Sequence, residues 1–260
     1  MRREENNPPH AMSAEVEQEI VEFTEKLLRP AATLFAVQKM EGDKVREKTK
    51  RVYGRMVDAH SLITGVLASA IERVGGKIVE ATSTSEQRVA LFAAFVIGID
   101  LCERAIEEGR YLQALALLRQ EMDVIAQLKS IALGLSREGR QAKVKVLDES
   151  LRRLYDDLSA ATHVSRQHLL LSTTHLGLAS TAEPADTVMT RYFPAFDQGL
   201  ARRCFSLHLM LILRLIEEMS VDHHEQHSSE DQFQQQDSDA LNLAISLMVG
   251  EEMFEIGSKS

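Results

Sequence analysis

The stretch Val89-Ala90-Leu91-Phe92-Ala93-Ala94-Phe95-Val96-Ile97-Gly98-Ile99 decides the fold class. It lacks the apolar–polar alternation of a half-buried strand and is apolar on every face of a helix, so it reads as a deeply buried helical segment. In front of it, Ser83-Thr84-Ser85-Glu86-Gln87 contains two overlapping capping boxes, Ser83 with Glu86 and Thr84 with Gln87. Behind it the pattern stays helical to Glu108, and Gly109 closes it. The run is shorter than the roughly 18 apolar residues a membrane span needs, and no longer one occurs.

Upstream, apolar residues at helical spacing from Asp43 to Val74 (Val45, Val52, Met56, Ile63, Leu67, Ala70, Ile71) predict a long second helix, stopped by Gly75-Gly76. A first helix starts at Ser13 as cap, with Glu15, Glu17, Glu19 and Glu22 at the positive end of its dipole, and Pro30 is expected to end or kink it near Arg29. Residues 1–12 carry a Pro-Pro pair and read as a disordered lead without the apolar centre of a secretory signal.

Downstream, a fourth helix spans Tyr111 to Leu133. A fifth spans Arg140 to Thr162 on the stripe Val144, Leu147, Leu151, Leu154 and Leu158. His163–Glu183 reads as a long loop with one extended segment, Leu169–Ser172. A sixth helix runs from Pro194 to His223. Residues 228–238 read as a flexible Gln/Asp/Ser linker, and residues 240–256 as a short C-terminal helix. The expected fold is therefore all-α, with six main helices, no sheet, and mostly antiparallel neighbours. Its units are an N-terminal helical extension over 13–80 and a main bundle over 83–223.

Composition narrows the function classes. Among 260 residues, 30 basic against 39 acidic give a net charge of −9, which disfavours a general duplex-DNA binder. Cys102 and Cys204 stand in apolar stretches without metal-ligand spacing and read as buried free thiols of a cytoplasmic protein. His223 and His227 lie one helical turn apart, but the surrounding run reads as a solvated tail, so no metal site is expected there. No phosphate-binding loop, dinucleotide fingerprint, nucleophile elbow or zinc-protease motif occurs, and no cofactor is expected.

Polar residues on helix faces supply the candidates. Arg119 and Asp123 stand one turn apart beside a polar stripe on the fourth helix, and Tyr155, Ser159 and His163 form an i, i+4, i+8 ridge on the fifth. The short link between these helices makes them packing neighbours. One reading is an exposed Arg119–Asp123 pair. The other joins both sets into a polar network opening on the long loop, where a ligand could enter. His60 and His208 face apolar stripes, as core histidines or as sites, and Asp100 pairs with Arg104.

Three elements carry a resemblance: Ala114-Leu115-Ala116-Leu117-Leu118-Arg119-Gln120-Glu121-Met122-Asp123, Tyr155-Asp156-Asp157-Leu158-Ser159-Ala160-Ala161-Thr162-His163, and Pro194-Ala195-Phe196-Asp197 opening an apolar helix. Over residues 85–220 they resemble a set of bacterial all-helical domains of unknown function, similar in appearance to HEPN domains. That resemblance implies a dimeric bundle. Its catalytic members are metal-independent ribonucleases that use an Arg followed a few residues later by a His on a late helix. Arg203 and His208 match that position, although Cys204 follows Arg203 where the family places a polar residue. The expected function is a cytoplasmic interaction or ligand-binding module, homodimeric through its first two helices, with Phe92 and Phe95 adding apolar surface. The alternative is a ribonuclease acting on RNA through Arg203 and His208.

Overall fold

The computed structural model describes residues 13–77, 82–137, 139–163 and 192–250. Among them are seven α-helices, one 3-10 turn at Val144–Val146, and no strand. The helices are α1 (Ala14–Val52), α2 (Met56–Val74), α3 (Ser83–Glu107), α4 (Tyr111–Ala132), α5 (Glu149–Thr162), α6 (Gln198–Gln226) and α7 (Gln235–Val249). The expected disordered lead and most of the expected loop after His163 fall outside the described residues.

Ser13 caps α1 through its hydroxyl, which accepts from Val16 N. Pro30 does not end the helix. It removes one backbone donor, and the Thr33 hydroxyl donates to the Arg29 carbonyl at 2.9 Å in the following turn. The break comes instead at Gly54, inside the stretch whose spacing reads as one helix from Asp43 to Val74. Gly54 sits at φ +54°, a left-handed conformation that ends α1 and lets α2 start in a new direction. Tyr53 at this corner stacks on Phe205 of α6, with centroids 4.0 Å apart. The helical spacing of buried residues continues across the corner, which is why periodicity conceals it.

The cap of α3 lies one residue ahead of the expected boxes. Thr82 accepts from Ser85 N at 3.1 Å, and Ser85 Oγ accepts from Thr82 N at 2.9 Å. The α3–α4 turn requires Gly109, at φ +71°, because a Cβ there would come within 2.5 Å of the Ala195 carbonyl oxygen. The fifth helix is shorter than expected. Asp148 accepts from Leu151 N at 3.0 Å and starts it, leaving 139–148 as an irregular approach.

The core is continuous. α4 and α6 lie at its centre, contributing Leu118, Met122, Ile125 and Leu128 from one and Leu209, Leu211, Ile212 and Leu215 from the other. α4 packs against α3, α5 and α6, while α2 packs against α7 and α6. Met56, Ala59, Ile63 and Leu67 of α2 belong to this same core, so the boundary expected between residues 80 and 83 does not divide the packing. The segment expected to be a flexible linker is tied down. Asp231 pairs with Lys77, Asp237 pairs with Arg73 at 2.7 Å, and Gln235–Ser238 is already helix.

Two helices leave apolar residues bare. Phe92 and Phe95 of α3 are buried, but Val89, Ile97 and Leu101 are not, and Ile97 is 80% exposed. The expectation that Val89–Ile99 is buried all round is therefore wrong on one face. α1 is barer still, since only Gly42, Val45 and Thr49 of its 39 residues are buried.

Candidate functional site

The polar stripe of α4 meets the ridge of α5 around Arg119. Its Nε donates to Ser159 Oγ at 2.9 Å, and its two terminal nitrogens donate to the Asp123 carboxylate and the Tyr155 hydroxyl. The guanidinium carbon also lies 3.7 Å from the Tyr155 ring centroid, so the cation covers the ring face. Gln141, which sequence reasoning missed, donates to Asp123 Oδ1 at 3.0 Å and to the Tyr155 hydroxyl at 3.1 Å. The Arg119 side chain is 15% exposed and that of Asp123 33%, which makes this a half-buried network rather than a surface pair. His163 does not join it. Its backbone N–H donates to the Ser159 carbonyl, and the residue is exposed. Every nitrogen of Arg119 is engaged by the protein itself, so the network is a strut between α4 and α5 and offers an anionic ligand little.

A second cluster lies deep between α3, α4 and α6. His208 is fully buried. Its Nδ1 stands 2.9 Å from Glu121 Oε2, and its Nε2 stands 3.6 Å from Glu103 Oε1. Glu103 Oε1 is also 2.6 Å from His60 Nε2. His60 is thus a half-buried partner of Glu103 rather than a core residue. Cys102 lies beside both His208 and Glu121. Burial alone would push the His208 pKa down. The Glu121 charge and the bonds to Cys102 and Glu103 outweigh it and hold His208 well above an ordinary histidine. Burial likewise pushes Glu103 up, and hydrogen bonds from His208 and His60 reverse that and bring it well below an ordinary glutamate. Burial raises the Cys102 thiol to about 11.

Arg203 does not reach this cluster. It is exposed, and five residues along a helix place it roughly 140° around the axis from His208. The structure therefore does not bring the two candidate ribonuclease residues together. The Glu121–His208–Glu103 cluster escaped sequence reasoning because its members come from three helices, and no spacing within one helix reports such a meeting.

At the far end of α6, Asp222 and His223 are buried and not part of a solvated tail. Asp222 pairs with Arg88 of α3 at 2.9 Å. The His223 ring faces His227 and Phe233, with centroids 5.2 and 5.4 Å away. Burial first, then the nearby His227 and Arg73, lower the His223 pKa to about 4.

Comparisons of the chain with family models, with curated proteins and with solved structures return no match.

Proposed function

We propose that the chain is a non-catalytic interaction module that self-associates through the bare half of α1. The observation that carries this is a seam on that helix. Val16, Ile20, Phe23, Leu27, Pro30, Leu34 and Val37 follow one another at alternating spacings of four and three. This is the a/d repeat with which helices pair. Val16, Ile20, Phe23, Leu27 and Leu34 are 42–65% exposed. A row of large apolar side chains this long is costly to leave in water, and a second copy of the same helix buries it. The surfaces expected to serve a dimer, the α2 stripe and Phe92 with Phe95, are consumed by the chain's own core. The burial of His208 and the exposure of Arg203 favour this reading over the ribonuclease.

Light scattering at micromolar concentration tests it. The expected mass is that of a dimer, with Phe23→Asp combined with Leu27→Asp giving a monomer of unchanged helix content. A monomeric wild-type chain overturns the reading. RNA incubated with the protein is expected to stay intact; cleavage that His208→Ala abolishes would favour the enzyme.

A further inference from the structure

Three helices direct one soft donor and two harder ones at a single buried point. Cys102 of α3, Glu121 of α4 and His208 of α6 are all buried, and a sulfur, an oxygen and a nitrogen from them lie within 4.8 Å of one another. One atom of this group, Glu121 Oε1, has no hydrogen-bond partner among the described residues, whereas His208 Nε2 faces Glu103 Oε1 at 3.6 Å. Both side chains are more than nine-tenths buried, His208 at 0% and Glu121 at 6% exposure. Buried polar atoms are nearly always satisfied, because each one left bare forfeits the solvation it had in water. A carboxylate oxygen left bare beside a thiol and the Nδ1 edge of His208 is an arrangement that a cation accepting lone pairs from all three would satisfy.

We propose that Cys102, Glu121 and His208 bind a divalent transition-metal cation of the zinc class. Thiolate, imidazole and carboxylate together suit such a borderline cation, whereas magnesium and calcium select oxygen donors. Glu103 faces the other ring nitrogen, as an outer partner of the bound imidazole. Its Oε1 lies 3.6 Å from His208 Nε2, and His60 holds that same oxygen at 2.6 Å, the way outer partners orient metal-bound side chains. Ligation sends the Cys102 thiol proton and any imidazole proton of His208 to solvent, since ligands bind in their deprotonated forms. A dication replacing two protons leaves the net charge of the buried cluster unchanged, so metal entry brings no new uncompensated charge into the core. The site is sealed by helices on three sides, so it is loaded as the chain folds.

The full chain, unfolded in guanidinium with a chelator and refolded with Co²⁺, tests this. The expected result is one Co²⁺ per chain with a thiolate-to-cobalt charge-transfer band. Cys102→Ser and His208→Ala should lose that band and weaken binding at least about tenfold. Glu103→Gln should keep the band and weaken binding about 10–100-fold. Cys204→Ser, and His223→Ala with His227→Ala, should leave both unchanged. A wild-type chain that refolds to its native circular dichroism without a thiolate band overturns the proposal, as does a band that depends on Cys204 or on the His223–His227 pair. If Cys102→Ser fails to refold, the wild-type spectrum by itself still separates a bound cation from an empty cluster.

Discussion

His208 and His223 lie on the same helix and both are buried, yet the protein pushes them in opposite directions. His208 stands between the Glu121 and Glu103 carboxylates and is held well above an ordinary histidine. His223 stands beside His227, Arg73 and Phe233 and falls to about 4. Burial penalises the charged form in both. What differs is the sign of the charges that surround each ring. The middle of α6 is therefore built to keep a buried charge, and its end to keep a buried neutral ring.

The largest effect should come from breaking the charged arrangement. Glu121→Ala removes the nearest counter-charge of the fully buried His208 ring. Removing one partner of a buried pair typically costs about 3–5 kcal/mol, and because Glu103 stays 3.6 Å from the ring the loss should lie at the lower end of that range. Urea unfolding of the metal-free chain should show a loss of that size. A loss under about 1 kcal/mol would mean that His208 is a neutral core residue, and the contrast with His223 would vanish.

The pH dependence should separate the two rings by sign. The pKa of His208 is raised on folding, so its contribution is complete below about pH 6.5 and fades as pH climbs through its folded value. That of His223 is lowered, so its contribution is complete above about pH 6.5 and fades as pH falls toward 4. The loss across that window should be on the order of 2 kcal/mol, allowing for screening. Stability curves of the wild type and His223→Gln should converge as pH falls from 6.5 to 4. Parallel curves over that range would show that His223 is not held neutral.

Neither histidine's charge was legible in the sequence, and the reason is geometric. Helical spacing reports which residues share a face, so it placed Arg119 with Asp123 and Tyr155 with Ser159. The structure brings those four together. Spacing cannot report which helix supplies the facing charge, so the meeting of Glu103 and Glu121 with His208 was invisible. Elsewhere a signal was present but weaker than the helical stripe around it. Gln141, Lys143 and Lys145 alternate with Ala142, Val144 and Val146, and exposure alternates with them; 139–143 is irregular and Val144–Val146 is a single 3-10 turn, so α5 does not reach back over this stretch. The all-α class was legible because long stretches share one period. The Gly54 corner was not, because buried positions keep helical spacing through it.

The Arg119 network lies between the sealed α6 cluster and the open surface, and its energetics should be intermediate. Arg119→Ala should cost about 1–3 kcal/mol, since it strands Asp123 and uncovers the Tyr155 ring without leaving either fully dry. A double-mutant cycle with Tyr155→Phe should give a coupling of about 1 kcal/mol. A coupling near zero would show that the guanidinium only covers the ring and that its bond to the hydroxyl contributes nothing.

The smallest effect marks the other limit of the series. Asp100 and Arg104 form the i,i+4 pair on α3 that their spacing predicts, and the two side chains are 74% and 57% exposed. Both charges keep most of their hydration, so their attraction is screened by water and by salt. Two long side chains must also give up rotamers to hold the contact. Arg104→Ala should therefore change stability by less than about 0.5 kcal/mol, and added salt should erase even that. The C-terminal half of α3 would owe more to this pair if Arg104 also anchored a neighbouring helix. A cost above about 1 kcal/mol that persists in high salt would reveal such a contact and would place the pair with the Arg119 network instead of the surface.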